Sequence, residues 1–207
     1  MSPFYALDIE TSTNPGDGLD PTNPLTRIIS AAIFIGPVEA ESTPRSHAYF
    51  DDPDEAKLLE GVDHFFGESL PGVILTWNGS NFDIPFFITR SALLGVDLGL
   101  RAEISPSRKP RFRPCKGHKG GYSAAWYAHD HADIWPLFGT ITLPDGSRTS
   151  ALKPLARHYG LHPVEVDRTK MELLTRDELK RYNISDVEIT YEMSKFVDFN
   201  AALDSKI

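Results

Sequence analysis

Near its start the chain alternates cleanly. Tyr5, Leu7 and Ile9 point one way while Phe4, Ala6, Asp8 and Glu10 point the other, which predicts a strand over Phe4–Glu10 with both acids on one face. A loop from Thr11 to Pro24, rich in Pro, Gly, Asn and Asp, precedes a second apolar strand, Ile28–Gly36, and residues His47–Phe50 offer a third. Leu58, Leu59, Val62, Phe65 and Phe66 then fall along one face of a helix expected to open near Asp52–Pro53, with aspartate as cap and proline at the first helical position. Gly72–Trp77 is a short apolar strand that runs into the turn Asn78-Gly79-Ser80. A helix from about Asp83 to Leu94 follows and stops at Gly95, so strand, turn and helix form one α/β unit. Ser105–Gly121 has no periodicity and predicts a long loop. Beyond the turn Pro144-Asp145-Gly146, a helix runs from about Ser150 to Tyr159 and closes at Gly160. The last helix starts at Thr175 with Glu178 three residues on, a capping box, and Leu179, Tyr182, Asp186, Ile189, Thr190 and Met193 follow at helical spacing. This order predicts a mixed sheet with helices packed on it.

Length and composition narrow the class. The 207 residues suit a single domain over 1–207, and 41% hydrophobic with 24% charged residues favour neither a disordered nor a fibrous architecture. No apolar run approaches the roughly 20 residues of a membrane helix, and Met1 leads into a strand instead of a signal peptide; a cytoplasmic chain with no membrane partner is expected. Cys115 stands alone, so no internal disulfide forms. The net charge of -8 opposes a polyanionic partner, yet it is unevenly spread. Arg101, Arg108, Lys109, Arg111, Arg113, Lys116 and Lys119 face one acid, Glu103, in the stretch 101–121. A basic loop on an acidic body suits a carboxylate metal site served by a phosphate-tracking arm, and it also suits a solvated insertion.

Two divalent ions about 3.5–4 Å apart can activate water and neutralise the leaving oxygen of a phosphodiester, and hard ions such as Mg²⁺ or Mn²⁺ are held by oxygen ligands. Candidates stand where rigid elements would present them: Asp8 and Glu10 on one strand face, Asp83 after a strand and turn, and Asp186 on a helix. Tyr182 lies four residues before Asp186 and shares its helical face. Each has a plainer alternative: solvated acids on a sheet face, Asp83 as a helix cap, Tyr182 as a core residue.

The local sequences carry a resemblance. Leu7-Asp8-Ile9-Glu10-Thr11 resembles the first motif of the DEDD exonuclease superfamily. Asn78-x-x-x-Phe82-Asp83 resembles the second motif as found in the proofreading domains of family B DNA polymerases, and Tyr182-x-x-x-Asp186 resembles the third motif of the tyrosine branch. The motifs occur in family order and span nearly the whole chain. The resemblance implies an α/β, RNase H-like fold with a central five-stranded mixed sheet flanked by helices. It also implies a 3′–5′ exonuclease that uses two divalent ions, Mg²⁺ or Mn²⁺, to release nucleoside 5′-monophosphates from single-stranded 3′ ends, DNA before RNA. By family role Asp8 would bridge the ions, Glu10 and Asp186 would bind the ion that activates water, Tyr182 would position that water, and Asp83 would act on the second ion. Asn78 and Phe82 would contact the terminal nucleotides, with Asp133 a supporting residue. Arg108, Lys109, Arg111 and Arg113 are expected to bind backbone phosphates, and no polymerase module fits in the remaining residues. Two other readings stay open: a non-catalytic nucleic-acid-binding module on the same fold, and a zinc-binding adaptor built on Cys115, His118, His129 and His131.

Overall fold

A computed structural model describes residues 2–12, 20–36, 46–104, 121–167, 171 and 173–197. The alternating start of the chain forms β1 (Phe4–Thr11), which pairs antiparallel with β2 (Ile28–Ile35), and β2 pairs antiparallel with β3 (Ser46–Phe50). On its other side β1 runs parallel to β4 (Val73–Thr76), and β4 runs parallel to β7 (His129–Asp133). These five strands, in the order β3-β2-β1-β4-β7, are the mixed sheet of an RNase H-like fold. Two further strands widen it beyond the expected five. β5 (Leu100–Ile104) and β6 (Tyr122–Trp126) pair antiparallel beyond β7 and bracket the stretch expected to be one long loop. A small hairpin of β8 (Ile141–Thr142) and β9 (Arg148–Thr149) closes around the Pro144-Asp145-Gly146 turn.

Both faces of the sheet are covered, which explains the apolar residues on each side of β1. Tyr5, Leu7 and Ile9 pack with Leu58, Leu59, Val62 and Phe66 of α1 (Glu55–Glu68) and with Phe86 and Phe87 of α2 (Asp83–Leu94). Ala6 joins Leu152, Leu155 and Ala156 of α4 (Leu152–His158) and Val187, Ile189 and Met193 of α5 (Arg176–Ser194). The short α3 (Trp135–Phe138) follows β7. Helix ends follow local chemistry. Gly95 terminates α2 with φ 69°, and Thr175 and Glu178 complete the capping box of α5. The opening of α1 is corrected: Asp54 is its cap, accepting from the Ala56 amide, while Asp52 accepts from Asp54 N one step earlier and Pro53 lies in that turn. Among the described residues no helix is long and apolar enough to cross a membrane.

Candidate active site

Because β1, β4 and β7 are parallel, their carboxyl ends meet at one edge of the sheet, and β1 is where the chain order reverses between β2 and β4. Crevices of α/β sheets form at such a point. A cleft of about 570 Å³ opens there, lined by Asp8, Glu10, Asn78, Asp83, Tyr182 and Asp186 among others.

The pleat of β1 turns Asp8 and Glu10 toward the face that α5 covers, and α5 brings Asp186 to them. One carboxylate oxygen from each of Asp8, Glu10 and Asp186 lies within 4.8 Å of the others, an arrangement fit for a hard cation. Asn183, fully buried on the next turn of α5, donates to Asp8 Oδ2 at 2.7 Å and takes a bond from Ser30 Oγ at 3.2 Å, so its amide is held between β1 and β2. Burial first, and then the like charges of Glu10, Asp83 and Asp186, push the Asp8 carboxyl well above the usual range, with Lys153 opposing. A group of acids that repels itself in this way is stabilised by a bound divalent ion, so the donor set fits one.

Asp83 reaches the cleft from the opposite side of the sheet. It is not the cap of α2, since Phe82 holds that place; its carboxylate instead accepts the Ile9 amide at 3.2 Å. Burial raises its pKa to about 7 against the lowering effect of two backbone bonds, with Asp133 adding repulsion. It is not part of the compact cluster of Asp8, Glu10 and Asp186, although its charge acts on Asp8. Tyr182 lines the cleft and packs against Met171 and Leu179, so it is at once a core residue and a cleft residue. Asn78 and Phe82 both line the cleft, and Phe82 also packs on Phe86.

Lys153 went unread in the sequence. It is 4% exposed, lies 2.9 Å from Asp186 Oδ1, donates to the Val164 carbonyl at 2.7 Å, and sits 3.4 Å from the centre of the Tyr182 ring. The sequence carried no signal for it: Lys153 lies four residues before the exposed Arg157, on the same helical face, and so reads as one more solvated cation. Arg108, Lys109, Arg111 and Arg113 lie outside the described residues, as do Cys115 and His118. The remaining zinc candidates are buried and hydrogen-bonded within the protein, His129 Nε2 with the Phe66 carbonyl and His131 Nε2 with Thr76 Oγ1.

Comparison with known proteins agrees with this geometry. The profile of the DNA polymerase family B exonuclease domain matches residues 3–132. The chain is 30% identical over 145 residues to the DNA polymerase epsilon catalytic chain of Emericella nidulans, covering 69% of this chain and 6% of that one. It is 24% identical over 200 residues to DNA polymerase 1 of Pyrococcus abyssi, covering 93% and 24%. The family B DNA polymerase of Pyrobaculum calidifontis superposes with a TM-score of 0.65 at 20% identity, over 94% of this chain and 24% of that one, and shares the fold. The chain belongs to the exonuclease-domain family of the family B DNA polymerases. It spans about 6% of the length of the epsilon polymerases it matches.

Proposed function

We propose that the chain is a two-metal 3′–5′ exonuclease acting on single-stranded ends, DNA before RNA, and releasing nucleoside 5′-monophosphates. The observation that carries this reading is the convergence of Asp8, Glu10 and Asp186 at the carboxyl ends of the parallel strands. Asp8, Glu10 and Asp186 would hold one divalent ion, Mg²⁺ or Mn²⁺, and Asp83 would serve a second. Bound there, the ions supply the charge that activates water and steadies the leaving oxygen. The protein's own contribution is placement. Asn183 fixes the Asp8 carboxylate, Lys153 fixes Asp186, and the packed ring of Tyr182 holds its hydroxyl to orient the attacking water.

Asn78 and Phe82 contact the terminal nucleotide from the β4–α2 turn. The basic residues Arg108, Lys109, Arg111 and Arg113 track the phosphates behind it. Support for this lies in Gly121 and Tyr122, which return the chain from the basic stretch by donating to Asn81 Oδ1 and the Ser80 carbonyl of that same turn. The test is a product ladder from 3′-labelled and 5′-labelled strands, duplexes and RNA incubated with Mn²⁺. Stepwise shortening from the 3′ end that stops in EDTA is expected. Cleavage of a circular single strand would make the protein an endonuclease instead.

A further inference from the structure

Asp133 ends β7 beside Thr76 at the end of β4, and it is buried. Its carboxylate takes no part in the cluster of Asp8, Glu10 and Asp186. Three main-chain amides donate to it: Asn78 to Oδ1 at 2.8 Å, Ser80 to Oδ2 at 3.1 Å and Trp135 to Oδ1 at 3.2 Å. Bonds to an ionised acceptor are stronger than neutral ones, so a carboxylate shared by three amides acts as a rigid node. Asn78 and Ser80 belong to the β4–α2 turn, and Trp135 opens α3. One side chain therefore ties together two segments that both line the cleft.

The turn needs such a tie. Asn78 has φ 66°, a left-handed conformation that costs energy for any residue with a side chain, although asparagine tolerates it better than most. Asn81 Nδ2 donates to Asn78 Oδ1 at 2.8 Å, which orients the Asn78 amide group itself. Across the node, Trp135 is pinned twice, by its main-chain N–H on Asp133 and by its indole N–H on the Ser150 carbonyl at 3.0 Å. A node that served folding alone could tie any two loops. This one fixes a strained cleft residue and an aromatic cleft residue at once.

We infer that Asp133 is a positioning residue for substrate: by holding Asn78 in its left-handed turn and Trp135 at the head of α3, it sets the slot that receives the terminal nucleotide of a single strand, without ligating metal. This rests on the exonuclease function proposed for the cleft. The isosteric variant Asp133→Asn keeps an oxygen for two of the amides and opposes the third with a donor. It should raise KM for a single-stranded oligonucleotide about tenfold, keep kcat within about threefold, and leave the Mn²⁺ concentration for half-maximal rate unchanged. Asn78→Gly keeps the left-handed backbone and its N–H but removes the side chain, and should raise KM by a similar factor. If both act through one slot, the double variant is no worse than the worse single one.

KM effects that multiply in the double variant, or a lowered kcat with a raised Mn²⁺ requirement, would overturn the inference. A readout independent of turnover is amide exchange in the wild-type protein, where the Asn78, Ser80 and Trp135 amides should exchange slowly and Asp133→Asn should accelerate all three together. Rapid exchange of these amides in the wild type overturns the node even if the variant does not fold. A wild-type protein that neither binds nor shortens single strands sinks the exonuclease function itself. An active wild type whose KM is indifferent to Asp133→Asn sinks only the role of Asp133.

Discussion

Lys153 shows how much one side chain decides at this site. A cation 4% exposed is stable in the interior only if an anion meets it, and Asp186 does so at 2.9 Å. The same contact draws Asp186 toward the floor of the cleft. Lys153→Met, close in shape and uncharged, leaves the acids uncompensated in the metal-free protein. The expected loss is about 3 kcal/mol at pH 8, measured by urea unfolding in EDTA, and a smaller loss at pH 5, where the carboxylates take up protons. Turnover should fall at least about tenfold, because Asp186 and the Tyr182 ring beneath the lysine both lose their restraint. Full activity in Lys153→Met would leave the lysine with a folding role only.

Among the elements, the β4–α2 turn and the start of α5 make a useful contrast. A Cβ added at Gly79 would fall 2.3 Å from Thr76 Oγ1 and 2.5 Å from Thr76 Cβ, both at the end of a central strand that cannot withdraw. Gly79→Ala should therefore cost about 2 kcal/mol and raise KM, since the displaced turn carries Asn78 and Phe82. The cap of α5 lies two turns from Tyr182 on an exposed surface. Thr175→Ala removes the acceptor for the Glu178 amide and should cost about 1 kcal/mol while kcat and KM stay within twofold. Thermal melts paired with steady-state rates distinguish the two. A KM unchanged in Gly79→Ala would mean that the turn does not meet the substrate.

At the scale of the molecule, the acid cluster couples pH, metal and stability. Burial raises both Asp8 and Asp83 in the folded protein, the latter to about 7, whereas in an unfolded chain an aspartate titrates near ~3.9. Between these values the folded state binds more protons, so its stability falls as pH rises: the contribution is complete below about pH 4 and lost as pH passes through about 7. The metal-free protein should thus lose on the order of 2 kcal/mol between pH 5 and pH 8 from this source. If the cluster holds metal as proposed, saturating Mn²⁺ should bind the ionised acids of the folded state and flatten or reverse the slope. Asp8→Asn should remove the Asp8 share of the slope in EDTA and leave the share due to Asp83, while abolishing turnover. A metal-free protein more stable at pH 8 than at pH 5 would show that other groups outweigh the cluster.

What the chain alone determined is what short-range chemistry controls. Period-two alternation set β1 and put Asp8 and Glu10 on one face, the capping box began α5 at Thr175, and Gly95 ended α2, because each depends on residues within one or two turns. The residues Asp8, Glu10, Asn78, Phe82, Asp83, Tyr182 and Asp186 were readable because they stand in ordered local motifs, and all of them line one cleft. Only tertiary structure decided which neighbours those groups met. Asp83, a natural cap by position, bonds Ile9 across 74 residues; Lys153, unmarked in its helix, finds Asp186; Asp133, a strand-end acid, gathers amides from two segments. The two added strands β5 and β6 belong to the same class, since their pairing depends on a partner across the long stretch between them. A buried charge or an orphan amide is satisfied by whatever the fold brings within about 3 Å, and that distance is set by packing between elements far apart in the chain.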